Sequence, residues 1–321
     1  MTEIYLILAL LAVWYGAHIV VDHALIIAKQ LKVSKLFMGL TILSIGTTLP
    51  EIFTHINASL AEKSGQLASN IAIGANIGSN IFETTIMIGI LGLFTTIKSS
   101  KNIQNRDGII LLLTAILLFV LGLDGVISRY DGVLLILVYL VYLFYLYTRE
   151  EKLEDILSRK SKLTHRQFNN FLHHSFLIAI GLFILQFAAE SVILNTISIS
   201  NKYGIDQSFL GSILIGFSSA LPEFTVAVIG LLKKSRDISL GVIFGSNITN
   251  PTIAVGIGAL VYDNPISRSL LFFDLPYMFL IIVILLILFK EDHKFGKKEG
   301  MLMITFYILY VLYKSKVYGV I

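Results

Sequence analysis

Apolar runs about twenty residues long, separated by short polar breaks, dominate this chain. They cover about 4–28, 36–61, 67–96, 108–123 and 132–148 in the first half, and about 171–199, 207–232, 238–261, 269–289 and 301–313 in the second. A helix needs roughly 20 apolar residues to cross about 30 Å of hydrocarbon. The pattern therefore predicts an all-α membrane protein with ten transmembrane helices. Between the halves, Arg149 to Arg166 is charged and has no apolar run. The expected organisation is a first repeat over 1–148, a cytoplasmic linker over 149–170 and a second repeat over 171–321.

Composition supports the membrane reading. Of 321 residues, 55% are apolar and only 14% charged, against roughly 25% charged in ordinary soluble domains. The mean hydropathy is +0.81. There is no cysteine, so disulfides and thiolate metal sites are excluded. A net charge of +4, with the basic residues spread among the breaks, argues against nucleic acid as a partner. The N-terminus lacks a basic leader segment and reads as the start of the first helix. No segment outside the apolar runs is long enough for an enzyme active site, so an enzyme is not expected.

The basic residues also report orientation. Breaks after odd-numbered runs hold 19 of the 25 Lys and Arg residues, whereas the even breaks and the tail hold 6. By the positive-inside rule the odd breaks face the cytoplasm and both termini lie outside.

The halves resemble each other. Ile45-Gly46-Thr47-Thr48-Leu49-Pro50-Glu51 aligns with Phe217-Ser218-Ser219-Ala220-Leu221-Pro222-Glu223 at an offset of 172. Gly78-Ser79-Asn80-Ile81 aligns with Gly245-Ser246-Asn247-Ile248 at an offset of 167. Five spans per repeat is an odd number, so the second copy enters the membrane from the opposite side. Inverted repeats of this kind mark secondary transporters that bind substrate near the midplane.

Each repeat carries two polar motifs with oxygens at i and i+4, a spacing that shares one helix face. The pairs are Thr47/Glu51, Ser79/Glu83, Ser219/Glu223 and Ser246/Asn250. Pro50 and Pro222 remove backbone donors and free carbonyls one turn earlier. Carboxylates, hydroxyls, an amide and carbonyls suit a hard cation such as Ca²⁺, not zinc or copper. A carboxylate at the bilayer centre costs about 2.5–3.5 kcal/mol on the lenient scale. Three of them, Glu51, Glu83 and Glu223, imply cations or protons that neutralise them. A single buried Glu could instead be a protonated helix–helix contact; four related motifs argue against that.

These motifs resemble the two alpha-repeats of the calcium/cation antiporter superfamily, in its prokaryotic-type sodium/calcium exchanger branch. The resemblance covers nearly the whole chain. It implies a multi-pass protein of a prokaryote-like plasma membrane, with a central site between segments 2, 3, 7 and 8. It also implies alternating access by sliding of segments 1 and 6. Glu51 and Glu223 would hold Ca²⁺ with Thr47 and Ser219, and Ser79 and Ser246 would complete Na⁺ sites. Glu83 and Asn250 would lie at the middle, and carbonyls near Ser44 and Gly216 would contribute. The transported ions would be Ca²⁺ and Na⁺, with no cofactor. Two departures stand out: the family often has Asn in the first repeat and Asp in the second where this chain has Glu83 and Asn250. Ser218-Ser219-Ala220 replaces the usual Gly-Thr-Ser. The Gly-Asn-Ala-x-Glu motif of proton/calcium exchangers is missing, which favours Na⁺ over the alternative of H⁺-coupled divalent exchange. A cation channel is a further reading, and the sequence leaves the oligomeric state open.

Other polar residues need weighing. His18 and Glu190 occupy equivalent repeat positions and, with Asp22 and His23, could line an ion access route or sit at the interface. His55 lies one turn past Glu51 and reads as a packing histidine. The acidic run Glu150–Asp155 reads as a solvated linker, because it lacks the spaced ligands of a calcium loop.

Overall fold

A computed structural model of the chain describes residues 2–66, 68–98, 106–149, 165–203, 217, 219–290 and 294–318. The described residues are helical almost throughout. The helices are α1 (Thr2–Leu31), α2 (Lys35–Lys63), α3 (Ser69–Phe94), α4 (Gly108–Asp124), α5 (Arg129–Arg149), α6 (His165–Tyr203), α7 (Leu221–Leu232), α8 (Arg236–Val261), α9 (Leu270–Lys290) and α10 (Lys297–Tyr318). The few strands are two residues long: β1 (Ile97–Lys98), β2 (Val126–Ile127), β3 (Asn264–Pro265) and β4 (Lys294–Phe295). They form two antiparallel clasps, β1 with β4 and β2 with β3.

Among the described residues, seven helices are long and apolar enough to cross a membrane, fewer than the ten runs expected. The difference falls on α4, α7 and α10. In α4 the regular helix ends at Leu121, and a tight turn through Gly122–Asp124 leads into Gly125, whose φ of 89° terminates it. The described part of α7 is a 12-residue helix, because its expected first half, 207–216, lies outside the described residues. Lysines at both ends of α10, Lys297, Lys298, Lys314 and Lys316, leave it more polar than the others. Lipid-facing character is plain on α1, where Ile4, Leu8, Leu11 and Tyr15 are exposed at helical spacing. A water-soluble surface would not present such a stripe.

Among the described residues, π-helical turns lie at Gly39–Leu43 in α2, Glu83–Met87 in α3, Asn250–Ala254 in α8 and Leu270–Asp274 in α9, and a further π-helical stretch, 106–107, leads into α4. The turns in α3 and α8 begin at Glu83 and Asn250, residues at the same repeat offset of 167. Such turns concentrate at functional sites, because the slipped ladder re-aims side chains.

The chain divides into two compact units, each drawing on both halves of the sequence. The first comprises Met1–Thr47, Leu140–Ile205 and Leu221–Gly245. Its core joins Ala17, Val21, Ala24 and Ala28 of α1 to Leu185 of α6, Val226 of α7 and Val242 of α8. Small residues let backbones approach: a Cβ on Gly39 would lie 2.7 Å from the Cα of Gly241. The second unit comprises Thr48–Tyr139, Asp206–Ala220 and Ser246–Ile321. Within it α3 packs on α10 and α4 on α9, and Phe82 packs edge-on against Phe217 and Tyr307. One of its buried acidic groups is Asp274 of α9, which accepts from Lys314 Nζ of α10 at 2.7 Å and from the Tyr310 hydroxyl.

Candidate cation site

The second unit brings polar residues of both repeats into contact. Glu51 of α2 is 7% exposed, and its Oε1 accepts from Ser219 Oγ at 2.9 Å. Glu83 of α3 is fully buried, and its Oε2 accepts from the Ser246 hydroxyl and from Asn247 Nδ2, the latter at 2.8 Å. In each pair the carboxylate comes from the first repeat and the donor from the second. The sequence paired each hydroxyl with the carboxylate or amide four residues along its own helix. The structure instead pairs them across repeats.

Each carboxylate keeps one oxygen in reserve. Glu51 Oε2 and Glu83 Oε1 are buried and receive no hydrogen bond. Asn250 Oδ1 and Asn76 Oδ1 are in the same position. Buried acceptors are ordinarily satisfied, and a carboxylate oxygen in a low-dielectric interior is the costliest exception.

The hydroxyls have already given away their protons. Ser79 Oγ donates to the Asn76 carbonyl at 2.9 Å in this unit. In the first unit, Thr47 Oγ1 donates to the Leu43 carbonyl at 3.0 Å and Ser44 Oγ to the Leu40 carbonyl at 2.9 Å. A hydroxyl has one proton and two lone pairs, so each of these can only accept further partners. The available atoms are hard oxygen acceptors, as Na⁺ and Ca²⁺ require. Among the described residues no three carboxylate or imidazole side chains cluster on their own. Neutral oxygens would therefore supply much of any coordination shell.

An asparagine lattice holds α3 and α8 together at the level of the two π-helical turns. Asn250 Nδ2 donates to Asn80 Oδ1 at 3.0 Å, and Asn76 Nδ2 to the Asn250 carbonyl at 3.1 Å. Asn80 Nδ2 reaches the Asn247 carbonyl at 3.3 Å. That carbonyl lies four residues before Pro251, which has no N–H to offer it. The Glu83–Asn247 and Asn250–Asn80 contacts are repeat equivalents, both residues of each pair shifted by 167 positions. A carboxylate takes the amide donor in one, and an amide donor takes the side-chain carbonyl in the other.

The remaining expected residues are accounted for as follows. Glu223 is fully buried in the first turn of α7, in the first unit. Ser246 and Asn250 are buried as described, and Gly216 lies outside the described residues, as do Ser218 and Glu150–Asp155. His55 is buried with its Cβ against Gly258. His18 packs against the Trp14 ring at 5.3 Å, whereas Glu190 is exposed. The repeated Gly-Ser-Asn-Ile motif contains the lattice residues Asn80 and Asn247 but gave them no role, and Asn76 was not singled out. The spacing of Asn76 and Asn80, four apart on one face, was the available signal.

A family model for sodium/calcium exchanger proteins matches residues 3–148 and 173–316. The chain belongs to the sodium/calcium exchanger family. It is 29% identical to the sodium/calcium exchanger MaX1 of Methanosarcina acetivorans, over 96% of each chain. It is 28% identical to the inner membrane protein YrbG of Escherichia coli, over 95% of this chain and 94% of that one. Its fold is similar to a structure of the sodium-calcium exchanger NCX_Mj soaked with Na⁺ and Sr²⁺, with a TM-score of 0.81 and 27% identity over 97% of each chain. This family member is thus a multi-pass membrane protein of a cation-exchanging family.

Proposed function

We propose that the protein is a secondary active antiporter that exchanges Ca²⁺ for Na⁺ by alternating access through a central carboxylate site. The observation that carries this reading is the pairing of Glu51 with Ser219 and of Glu83 with Ser246. Each carboxylate keeps a buried oxygen that no protein donor reaches. Such oxygens are stabilised by a cation and destabilised without one. Glu223, the repeat equivalent of Glu51, joins them in the proposal through the sequence symmetry. Thr47, Ser44, Ser79 and Asn250, with the carbonyl near Gly216, add neutral oxygens.

Coupling follows from shared occupancy. Two ion types that need the same carboxylates exclude one another, and an empty charged site resists changing sides in a low-dielectric medium. Flux of one ion then requires counterflow of the other.

We further propose ten membrane spans arranged as two inverted five-helix repeats, joined by the 149–170 linker, with both termini outside a prokaryotic-type plasma membrane. The strand clasps support this. The segments after α3 and α9 pair as β1 and β4, and those after α4 and α8 pair as β2 and β3. Paired segments must share a side, and alternating spans give each pair one side.

The test is Ca²⁺ uptake into proteoliposomes under an imposed counter-ion gradient. An outward Na⁺ gradient should drive uptake, and equal Na⁺ on both sides should abolish it. Uptake driven by a pH gradient without Na⁺ would replace Na⁺ with H⁺ as the counter-ion. Flux independent of any counter-ion would point to a channel.

A further inference from the structure

Helices α1 and α6, both in the first unit, form an antiparallel pair whose contact layers recur every seven residues. Gly16 meets Gly181, where a Cβ on Gly16 would lie 3.0 Å from the Gly181 carbonyl oxygen. Gln30 Nε2 donates to the Gln167 carbonyl at 2.5 Å. Between these layers, seven residues from each, stand His23 and His174. A seven-residue repeat keeps the same helix faces together, so the two imidazoles are held opposite each other by the contacts on either side.

The imidazoles meet through equivalent atoms. The two Nδ1 atoms are 2.9 Å apart, the ring centroids 4.9 Å apart and the planes at 28°. Two imidazoles bound to one ion at about 2.0–2.1 Å, with a bite of about 90–110°, have nitrogens about 2.9–3.4 Å apart. The same geometry puts their ring centres about 4.5–5.2 Å apart. Both observed separations fall inside those windows. The nitrogen separation corresponds to a bite of about 90° and the centroid separation to one of about 100°, so a slight ring rotation would seat both nitrogens on one ion, and the general affinity order of nitrogen sites ranks Cu²⁺ above Zn²⁺.

We propose that His23 and His174 form a two-imidazole site for a borderline transition-metal cation, Cu²⁺ above Zn²⁺, bridging α1 and α6. In the metal-free protein one Nδ1 can donate its proton to the other. Binding forms two metal–nitrogen bonds at the Nδ1 atoms; the proton of the donating ring moves to its own Nε2 by exchange with solvent, so both ligands are neutral imidazoles, no net proton is released, and water completes the coordination sphere. Among the described residues no third His, Asp or Glu joins the pair as a ready ligand. His173 is exposed, with its ring 5.3 Å from that of His174. Asp22 is engaged by Lys233 at 2.5 Å. That ion pair, with Asp22 51% exposed, marks this level of the helix pair as reachable from water. Imidazole ligands and oxygen ligands select different ions, so this site would not compete with the hard-cation site for Ca²⁺ or Na⁺.

The test is Cu²⁺ titration of the tag-free protein in detergent, with Ca²⁺ in excess, followed by electron paramagnetic resonance. One saturable Cu²⁺ per chain with two nitrogen ligands is expected. His23→Ala or His174→Ala should weaken it at least about tenfold and remove one nitrogen from the spectrum. The double variant His23→Gln/His174→Gln, which keeps the layer polar and the helix pair packed, should abolish it; His173→Ala should not. Binding that survives in the double Gln variant, or no saturable binding in the unaltered protein, would overturn the proposal. So would a loss confined to His173→Ala. None of these readouts depends on ion transport.

Discussion

Ser219 donates its hydroxyl to Glu51 across the two repeats at 2.9 Å, and the other oxygen of that carboxylate is left buried without a donor. This contact orients Glu51 and leaves Oε2 for a further partner. Removing it tests whether orientation matters. Ser219→Ala should weaken Ca²⁺ binding at least roughly tenfold, the low end of the about 1.5–3 kcal/mol of a hydrogen bond to a charged group. The protein should remain folded. Calcium-dependent thermal stabilisation in detergent reads both effects at once.

Glu83 allows charge to be separated from hydrogen bonding. It accepts from the Ser246 hydroxyl and from Asn247 Nδ2 on one oxygen. Glu83→Gln keeps an acceptor for both donors and removes the charge, so the melting temperature without ions should hold or rise while Ca²⁺ affinity falls. Glu83→Ala strands two buried donors, at a cost of about 1–3 kcal/mol each, and should melt earlier. Thermal unfolding of the two variants side by side, with and without Ca²⁺, checks the distinction.

Helix crossing by small residues gives a prediction about stability alone. A Cβ at Gly39 would sit 2.7 Å from Gly241 Cα and 2.8 Å from the Ile238 carbonyl oxygen, both backbone atoms. Overpacking of this kind costs about 1–3 kcal/mol, so Gly39→Ala should lower the unfolding temperature. At Gly78 a Cβ meets nothing within 4 Å, and Gly78→Ala should be tolerated or mildly stabilising through helix propensity. The reverse ranking would mean that α2 and α8 do not cross as described.

Topology can be read chemically because the chain has no cysteine. Ser64, just past α2, and Asp237, at the start of α8, are both exposed. With ten spans and outward termini, Ser64→Cys should react with a membrane-impermeant maleimide in intact cells. Asp237→Cys should react only after permeabilisation. Labelling of both in intact cells would break the alternating arrangement.

The sequence made some features legible and hid others for physical reasons. The apolar runs and the two motif offsets were readable because burial and pseudo-symmetry constrain residue type directly. Buried Glu51, Glu83 and Glu223 were likewise visible as charges in apolar surroundings. The π-helical turns at Glu83 and Asn250 were not, since a slipped backbone ladder leaves no compositional mark. The cross-repeat partners of each carboxylate were also hidden. The i, i+4 spacing suggested hydroxyl and carboxylate acting together on one helix, whereas Thr47 and Ser79 spend their protons on backbone carbonyls. The α1–α6 seam emerges only once the helices are paired, because Gly16, His23 and Gln30 share no residue class.

Equilibrium Ca²⁺ binding to the purified protein, compared with Glu51→Gln, tests most directly whether the buried carboxylate oxygen serves a cation. The substitution keeps an acceptor for Ser219 and so leaves the cross-repeat contact in place. Binding that is saturable and displaced by Na⁺ in the unaltered protein, and lost in Glu51→Gln at unchanged folding, is the expected result. Unchanged Ca²⁺ affinity in Glu51→Gln would contradict it.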